Sequence, residues 1–450
     1  MAKFSRYNHF QPWKDGNYIA YNARTGAIAL MTEENYRVYR NMYEKLSRNP
    51  VTDPDPEEKE LAEQLKYGGF LLNNDGDELD QLEFRHLLNR YDRTSLGLIV
   101  APTMACNMAC KYCFESDKRG RMSTETIEAL LQFIEKQARN LDFVDIAWYG
   151  GEPLLALNII EDITESVLDL AREYKVRYAS SMITNGYLLT PENVDKLVKL
   201  RVSSLQITLD GPRRVHDENR PLKNGRGSYD TILQNIKYAS TKLAVGLRVN
   251  IDKNFNGQVL SELLEELNDN GLRDKIGLYF GMLEPWSNVC VNIAEGCYSS
   301  LEFSKAEIEY YRLLHEEGFS IEKLPMPISV ACLTQNVNCF IVDADGDLYK
   351  CFCQVGDKKL SFGNIRNEID YDHPNFRRIF GLNPFKDEMC QSCDILPICM
   401  GGCPARRVDR NLSGEQLCES WRHNLPQMLE IIALSKQQQK KQKTAEIKES

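Results

Sequence analysis

The sequence lacks any apolar run long enough to cross a bilayer, and its first twenty residues lack the apolar stretch of a signal peptide. It therefore predicts a cytoplasmic protein without a membrane partner. Basic charge is also scarce, since 55 lysines and arginines face 65 aspartates and glutamates, which gives a net charge of −10. Because phosphate binding needs a basic surface, this balance argues against nucleic acid as the main partner.

Several common catalytic signatures are absent as well. The chain has no nucleophile elbow, no Walker loop and no complete dinucleotide fingerprint, and its six histidines form no ligand pair. Cysteine is missing from residues 1–95, yet the chain has 14 cysteines, and twelve of them lie in two groups, near residue 110 and from 332 to 418. Disulfides are disfavoured in a reducing compartment, so these groups predict metal binding.

The length of 450 residues predicts two or three domains. The first section, 1–95, has the pattern of a hairpin (18–21 and 27–30) followed by two or three helices, and this order resembles a small winged-helix module. Beyond residue 95, apolar strand-like runs alternate with amphipathic helical stretches as far as about residue 282. Such alternation predicts a parallel sheet with right-handed crossovers.

The most informative motif is the C-x3-C-x2-C string that follows the first predicted strand. Three thiolates on one short loop cannot complete a structural zinc site, which needs four ligands. They can hold three irons of a cubane cluster and leave the fourth iron open to a cofactor. A zinc site completed by a distant ligand is the alternative. The cysteines are Cys106, Cys110 and Cys113.

With Tyr112 just before the last cysteine, this loop resembles the radical SAM superfamily. The resemblance implies an α/β fold built on a partial (β/α)6 barrel. It also implies that S-adenosylmethionine binds the open iron of a [4Fe–4S] cluster, is cleaved by one electron, and yields a radical that abstracts hydrogen from the substrate. In such an enzyme the cofactor supplies the hard chemistry, and the protein orients it and excludes water.

Motifs at the ends of the next predicted strands resemble the superfamily's cofactor contacts. GGEP follows the second strand, TNG ends the third and TLDG ends the fourth. Arg220 suits a carboxylate, although a surface salt bridge is the alternative for a lone arginine near a turn. The resemblance thus implies these cofactor-binding residues: Gly150, Gly151, Glu152, Thr184, Asn185, Thr208, Asp210 and Arg220.

The C-terminal cysteine array resembles the SPASM subgroup, whose members carry two auxiliary [4Fe–4S] clusters. A pair of zinc ribbons is the alternative, because cysteine pairs two residues apart also suit zinc. By resemblance, one cluster is held by Cys390, Cys393, Cys399 and Cys418. The other is held by Cys332, Cys351 and Cys403, with Cys339 or no protein ligand on its fourth iron and Cys353 as a less favoured choice.

These motifs predict a winged-helix-like recognition module (1–95), a radical SAM partial barrel (96–325), a SPASM domain (326–425) and a polar tail (426–450). The resemblance implies a maturase of ribosomally made peptides that docks the precursor's leader as an added strand. It would form a cross-link, foremost a thioether and next a carbon–carbon or carbon–oxygen bond. An electron donor such as flavodoxin or ferredoxin is implied. The alternatives are an anaerobic sulfatase-maturing enzyme and a non-catalytic zinc protein.

Overall fold

The computed structural model describes residues 3–48, 55–72, 76–115, 120–409 and 412–449. The first section contains a three-stranded antiparallel sheet, a two-stranded sheet and three helices. Its core is aromatic, with the rings of Phe10 and Tyr39 4.2 Å apart and those of Tyr18 and Tyr36 stacked at 3.7 Å. The elements are β1 Lys3–Phe4, β2 Asn8–Pro12, β3 Tyr18–Asn22, β4 Ala27–Met31, α1 Glu33–Arg48, α2 Pro56–Tyr67, β5 Leu71–Leu72 and α3 Glu78–Arg90.

The six strands predicted after residue 95 are confirmed, and they form a parallel sheet in the order β11-β10-β9-β8-β7-β6. The strands and the amphipathic helices between them pack their apolar faces together to form the main core. Trp148 and Ile146 are fully buried in it. The strands are β6 Ser95–Val100, β7 Phe143–Trp148, β8 Arg177–Thr184, β9 Val202–Thr208, β10 Ala244–Ile251 and β11 Ile276–Met282. The helices are α4 Thr124–Ala138, α5 Leu157–Tyr174, α6 Pro191–Lys199, α7 Arg213–Asn219, α8 Tyr229–Ala239, α9 Gly257–Asp269 and α10 Ser300–Glu316.

The cysteine-rich section extends this sheet, which the sequence pattern did not predict. Its first strand pairs parallel with β6 (Cys339 opposite Gly97) and antiparallel with the next short strand. The section comprises β12 Cys339–Val342, β13 Leu348–Tyr349, α11 Pro374–Phe380, α12 Glu388–Gln391, α13 Leu396–Cys399, α14 Pro404–Asp409 and α15 Trp421–Glu449.

The final helix begins before the predicted polar tail. Leu425, Met428 and Leu429 of α15 are buried, and Asn424 donates to Glu307 of α10 at 2.9 Å. The apolar residues at the start of this segment therefore anchor the helix on the barrel. Among the described helices, none combines the length and the apolar character that a bilayer crossing needs.

The first section packs directly on the cysteine-rich one. Arg6 donates to the backbone oxygen of Gln391 at 2.7 Å, and His9 Nε2 lies 3.3 Å from the backbone oxygen of Asp394. Gln11, on β2, donates to the backbone oxygen of Pro426 at 2.8 Å. These contacts cover one side of the β2-β3-β4 sheet, while Ala29 and Leu30 on β4 stay exposed.

Candidate functional site

The three-cysteine loop (Cys106, Cys110, Cys113) follows β6 at the carboxyl edge of the sheet, as predicted. Backbone hydrogen bonds hold it against the end of α7 and the residues that follow: Ala109 N donates to Pro221 O at 2.9 Å, and Lys111 N donates to Asn219 O at 3.0 Å. Burial raises the pKa of Cys106 to about 11. A bare thiolate is therefore costly there, and a metal that displaced the proton would offset this cost.

Gly150 and Gly151 bring the turn after β7 against this loop. Gly150 has a φ of +115°, and a Cβ on either glycine would overlap the backbone oxygens of Thr103 or Ala105. The close approach lets Gly151 N donate to Thr103 O at 3.2 Å and Glu152 N donate to Ala105 O at 2.9 Å. The two glycines therefore allow the turn after β7 to pack closely against the three-cysteine loop.

The Glu152 carboxylate is fully buried and links the segments that follow β7 and end β8. It accepts from Thr184 Oγ1 at 2.7 Å and from Asn185 N at 2.8 Å. Asn185 Nδ2 in turn donates to Asn107 Oδ1 at 2.7 Å and lies 3.9 Å from Cys106 Sγ. Burial raises the pKa of Glu152, and these hydrogen bonds oppose that rise. The predicted residues therefore converge on the three-cysteine loop.

A second cluster of polar side chains surrounds Tyr112 of the same loop. Tyr112 OH donates to Asp210, and it accepts from Arg220 Nη1 at 2.7 Å and from Asn250 Nδ2 at 3.1 Å. Arg220 is 8% exposed, so it is a buried partner of this group rather than the surface salt bridge of the alternative reading. Burial raises the pKa of Asp210, while the Arg220 guanidinium and the Tyr112 hydroxyl oppose the rise. Thr208 ends β9 two residues before Asp210 and is buried.

His216 ties this group to the backbone. The backbone N–H of Asp210 donates to His216 Nδ1 at 3.3 Å, so the ring proton lies on Nε2, which is 3.1 Å from Ser228 Oγ. Ser228 Oγ donates to the backbone oxygen of Arg220 at 2.9 Å. Burial lowers the pKa of His216 well below its usual range, so this ring is neutral. Asp210 and Arg220 are thereby fixed relative to each other.

Two observations indicate that this region receives a ligand. Within the described residues, the buried Arg220 Nε and Asn107 Nδ2 have no hydrogen-bond partner. Such donors suit a carboxylate. Beside Tyr112 and Asn250 lies a cavity of about 470 Å³ that Asp252, Phe255 and Leu283 also line. This volume falls within the range of small-molecule sites.

Four of the C-terminal cysteines gather around one small pocket, and we call them the four-cysteine site: Cys390, Cys393, Cys399 and Cys418. Arg407 and Arg422 also line this pocket. Burial raises the pKa of Cys399 to about 12 and that of Cys418 to about 11. In the described part of the chain, no three metal-binding side chains converge on one ion. The thiols of a cubane cluster bind separate irons, so a spaced set of four fits a cluster.

The other C-terminal cysteines divide into two sets. Cys353 hydrogen-bonds with Cys351 and lies near Cys403, and we call these three the Cys351 group. Cys339 instead packs on Gly97 of β6, where a Cβ added to the glycine would lie 3.1 Å from the Cys339 sulfur. Cys332 is close enough to act on the Cys339 thiol. The structure thus places Cys353, the less favoured residue, beside two predicted ligands, and the complete ligand set stays a prediction.

Tyr149 joins the two regions, and the sequence reasoning did not single it out. This buried ring, directly after β7, lies near Cys113, Cys351 and Cys353, with Phe352 edge-on at 5.2 Å. Burial raises the pKa of Tyr149 well above its usual range, so the hydroxyl stays protonated. Its position just before the paired glycines was the available signal.

Comparison with known proteins agrees with this geometry. Residues 100–267 match the family model described as the Radical SAM superfamily. The cysteine-type anaerobic sulfatase-maturating enzyme of Clostridium novyi (strain NT) is 22% identical over 360 residues, which cover 73% of this chain and 94% of that enzyme.

Two solved structures share the fold. One is native anSMEcpe with bound AdoMet and a peptide, with a TM-score of 0.60, 19% identity, and coverage of 76% of this chain and 99% of that chain. The other is Streptococcus suis SuiB bound to the precursor peptide SuiA, with a TM-score of 0.52, 16% identity, and coverage of 91% of this chain and 97% of that chain. At these identities the likeness shows the fold alone.

Proposed function

We propose that this chain, whose residues 100–267 are a radical SAM domain, matures a ribosomally made precursor peptide by installing a cross-link. The bond we favour is a thioether between a cysteine sulfur and a carbon of the same peptide, followed by carbon–carbon and carbon–oxygen bonds. The chain is a radical SAM enzyme with maturase relatives. The identity of its substrate and bond is our inference from the site and from the first section.

The observation that carries this proposal is the sheet of the first section. β4 is an edge strand, paired only with β3 among the described residues, and Leu30 on it is 50% exposed. An exposed edge accepts an added strand from a peptide through main-chain hydrogen bonds. The structural match to SuiB with its precursor peptide covers 91% of this chain, whereas the match to anSMEcpe covers 76%. This difference supports a role for the section outside the barrel.

The residues at the three-cysteine loop fit S-adenosylmethionine and a [4Fe–4S] cluster. Cys106, Cys110 and Cys113 would hold the cluster, and the unpartnered donors Arg220 Nε and Asn107 Nδ2 would bind the cofactor's carboxylate. When bound and reduced, S-adenosylmethionine supplies a carbon radical that abstracts hydrogen from the substrate.

The remaining residues keep this site ordered. The Tyr112 hydroxyl accepts from Arg220 and from Asn250 and so holds the guanidinium beside the buried Asp210. Tyr149 and Phe352 pack edge to face, and they would line the space between the three-cysteine loop and the Cys351 group. We place the peptide's reacting residue in that space.

The decisive experiment is a single-turnover assay. Reduced enzyme, S-adenosylmethionine and a candidate precursor, taken from small open reading frames beside the gene, should yield a peptide that is lighter by two hydrogen atoms. Methionine and deoxyadenosine should form alongside it. An unchanged peptide with no deoxyadenosine above background would contradict the proposal. Flavodoxin or ferredoxin is the reductant we expect, with dithionite as the chemical substitute.

Leu30→Asp tests leader docking on β4. We expect the affinity for the precursor to fall roughly tenfold, or about 1.4 kcal/mol, because a charge replaces an apolar contact at the edge. Fluorescence anisotropy with a labelled leader measures it. Val198→Asp is the matched control, since Val198 is 41% exposed on α6 of the barrel. Equal losses of affinity in both variants would contradict a docking role for β4.

A second candidate function is sulfatase maturation, which the similarity to the Clostridium novyi enzyme favours. A substrate peptide from a sulfatase active site discriminates the two. Conversion of its cysteine or serine to an aldehyde, trapped by a hydrazide reagent, would establish this alternative. Leu30→Asp should then leave turnover of that short peptide intact, whereas a leader-dependent maturase loses affinity for its precursor.

The non-catalytic zinc protein is tested by metal analysis. We expect a brown protein with about twelve iron and twelve sulfide atoms per chain, which three cubane clusters require. A colourless protein that contains zinc and no iron would contradict the proposed enzymatic function.

A further inference from the structure

Two arginine side chains are directed at the sulfurs of the four-cysteine site. Arg407 Nη2 donates to Cys390 Sγ at 3.4 Å, and Arg422 Nη1 donates to Cys393 Sγ at 3.9 Å. The charge of Arg407 also acts on Cys399, and both charges act on Cys418. Each of the four sulfurs therefore has a guanidinium nearby.

Both guanidiniums are held in place from behind. Arg407 pairs with Asp387 at 2.9 Å, and the same carboxylate accepts from the backbone N–H of Cys390 at 3.2 Å. Arg422 pairs with Asp394 at 3.5 Å and with Glu415 at 3.4 Å. The carboxylates offset part of the positive charge, while the guanidinium N–H groups donate to the sulfurs of Cys390 and Cys393.

The Cys351 group has a different arrangement of charges around it. Its neighbour Arg406 is tied up in a buried pair with Glu284, at 3.0 and 3.2 Å. Glu419 accepts from the backbone N–H of Cys403 at 3.0 Å, and Glu284 acts on Cys353. Glu284 thus offsets the positive charge of Arg406 beside Cys403. Arg407 and Arg422 instead donate directly to two sulfurs of the four-cysteine site, where Glu419 also acts on Cys399.

The physical consequence concerns reduction. A cubane cluster gains one negative charge when it accepts an electron, and hydrogen bonds to sulfur together with nearby charge set its potential. Positive charge in a partly buried site stabilises the reduced form more than the oxidised form, because screening by water is weak there.

We propose that Arg407 and Arg422 raise the reduction potential of the cluster in the four-cysteine site above that of the cluster at the Cys351 group. An electron shared between the two auxiliary sites then resides at the four-cysteine site. This inference rests on the proposed function only in that both sites hold clusters. The exchange moves one electron and changes no covalent bond.

The test uses the full chain with Cys106, Cys110 and Cys113 replaced by Ala, so that only auxiliary clusters contribute. Anaerobic redox titration followed by electron paramagnetic resonance resolves their two couples. Arg407→Gln and Arg422→Gln should each lower the reduction potential of the higher-potential cluster by about 59 mV, which is about tenfold in the equilibrium constant for one electron. The potential of the other cluster should not change. Arg422→Lys should recover part of the shift because it keeps the charge.

The control is Arg312→Gln, which removes an exposed arginine paired with Glu430 on the barrel surface. Iron content and melting temperature are measured for every variant. If Arg407→Gln loses iron, the half-exposed Arg422 supplies the test. Two resolved couples that do not move, or that move equally in Arg312→Gln, would overturn this inference alone. Zinc in place of reducible clusters would overturn the proposed function as well.

Discussion

Replacing Cys106, Cys110 and Cys113 together with alanine should reduce deoxyadenosine formation to background. The three thiolates would hold the cluster that supplies the electron for cleavage of the cofactor, so no cleavage is expected without them. Iron and sulfide should fall from about twelve to about eight atoms each per chain, because each cubane holds four of each. Liquid chromatography of the nucleoside and colorimetric metal analysis measure the two results.

The control for this variant is Cys297→Ser. Cys297 lies outside both cysteine groups, and its thiol donates to the backbone oxygen of Ile293 at 3.3 Å. We expect full iron content and unchanged deoxyadenosine formation. A triple variant that keeps about twelve irons would show that the loop holds no cluster, whatever its activity.

Arg220→Met should weaken S-adenosylmethionine binding by roughly a hundredfold, or about 3 kcal/mol. The substitution removes the unpartnered Nε donor and leaves Asp210 and Glu152 as buried carboxylates without their cation. Breaking a buried pair from one side costs about 3–5 kcal/mol, so the melting temperature should fall too. Isothermal titration with the cofactor and thermal melting measure the two effects.

A double variant separates stability from binding. Arg220→Met with Asp210→Asn removes both charges, so most of the lost stability should return because the uncompensated carboxylate at position 210 is gone. Binding should stay weak, since the guanidinium is still absent. Recovery of binding together with stability would mean that Arg220 only supports the fold.

Much of the barrel was predictable because its signals are local. Period-2 apolar runs and helices with one apolar face mark the six strands from β6 to β11 and the helices between them, and each is marked by residues adjacent in sequence. The same holds for the three-cysteine loop, whose ligands lie within eight residues. β12 (Cys339–Val342) was not predicted because the strand has only four residues, all of them buried, and becomes recognisable only through its pairing with β6.

The functional neighbours of the site were less accessible from sequence. Asn250 is a polar residue near the end of a predicted strand, and nothing adjacent to it indicates that it reaches Tyr112, 138 residues earlier. Arg407 and Arg422 are ordinary charged residues of two helices until the fold brings both to one pocket. Such pairings join residues far apart in the chain, so periodicity does not contain them.

What could be read from the chain alone is the chemistry: thiols in groups, paired glycines before a glutamate, and an acidic balance that disfavours nucleic acid. Local spacing carries these features, because neighbouring residues fold into the same loop or turn. The tertiary structure decided which thiols meet. It placed Cys353 with Cys351, set Cys339 against Gly97, and buried Arg220 beside Asp210. Those distances depend on how strands pair and how three sections pack, which side-chain spacing along a chain does not specify.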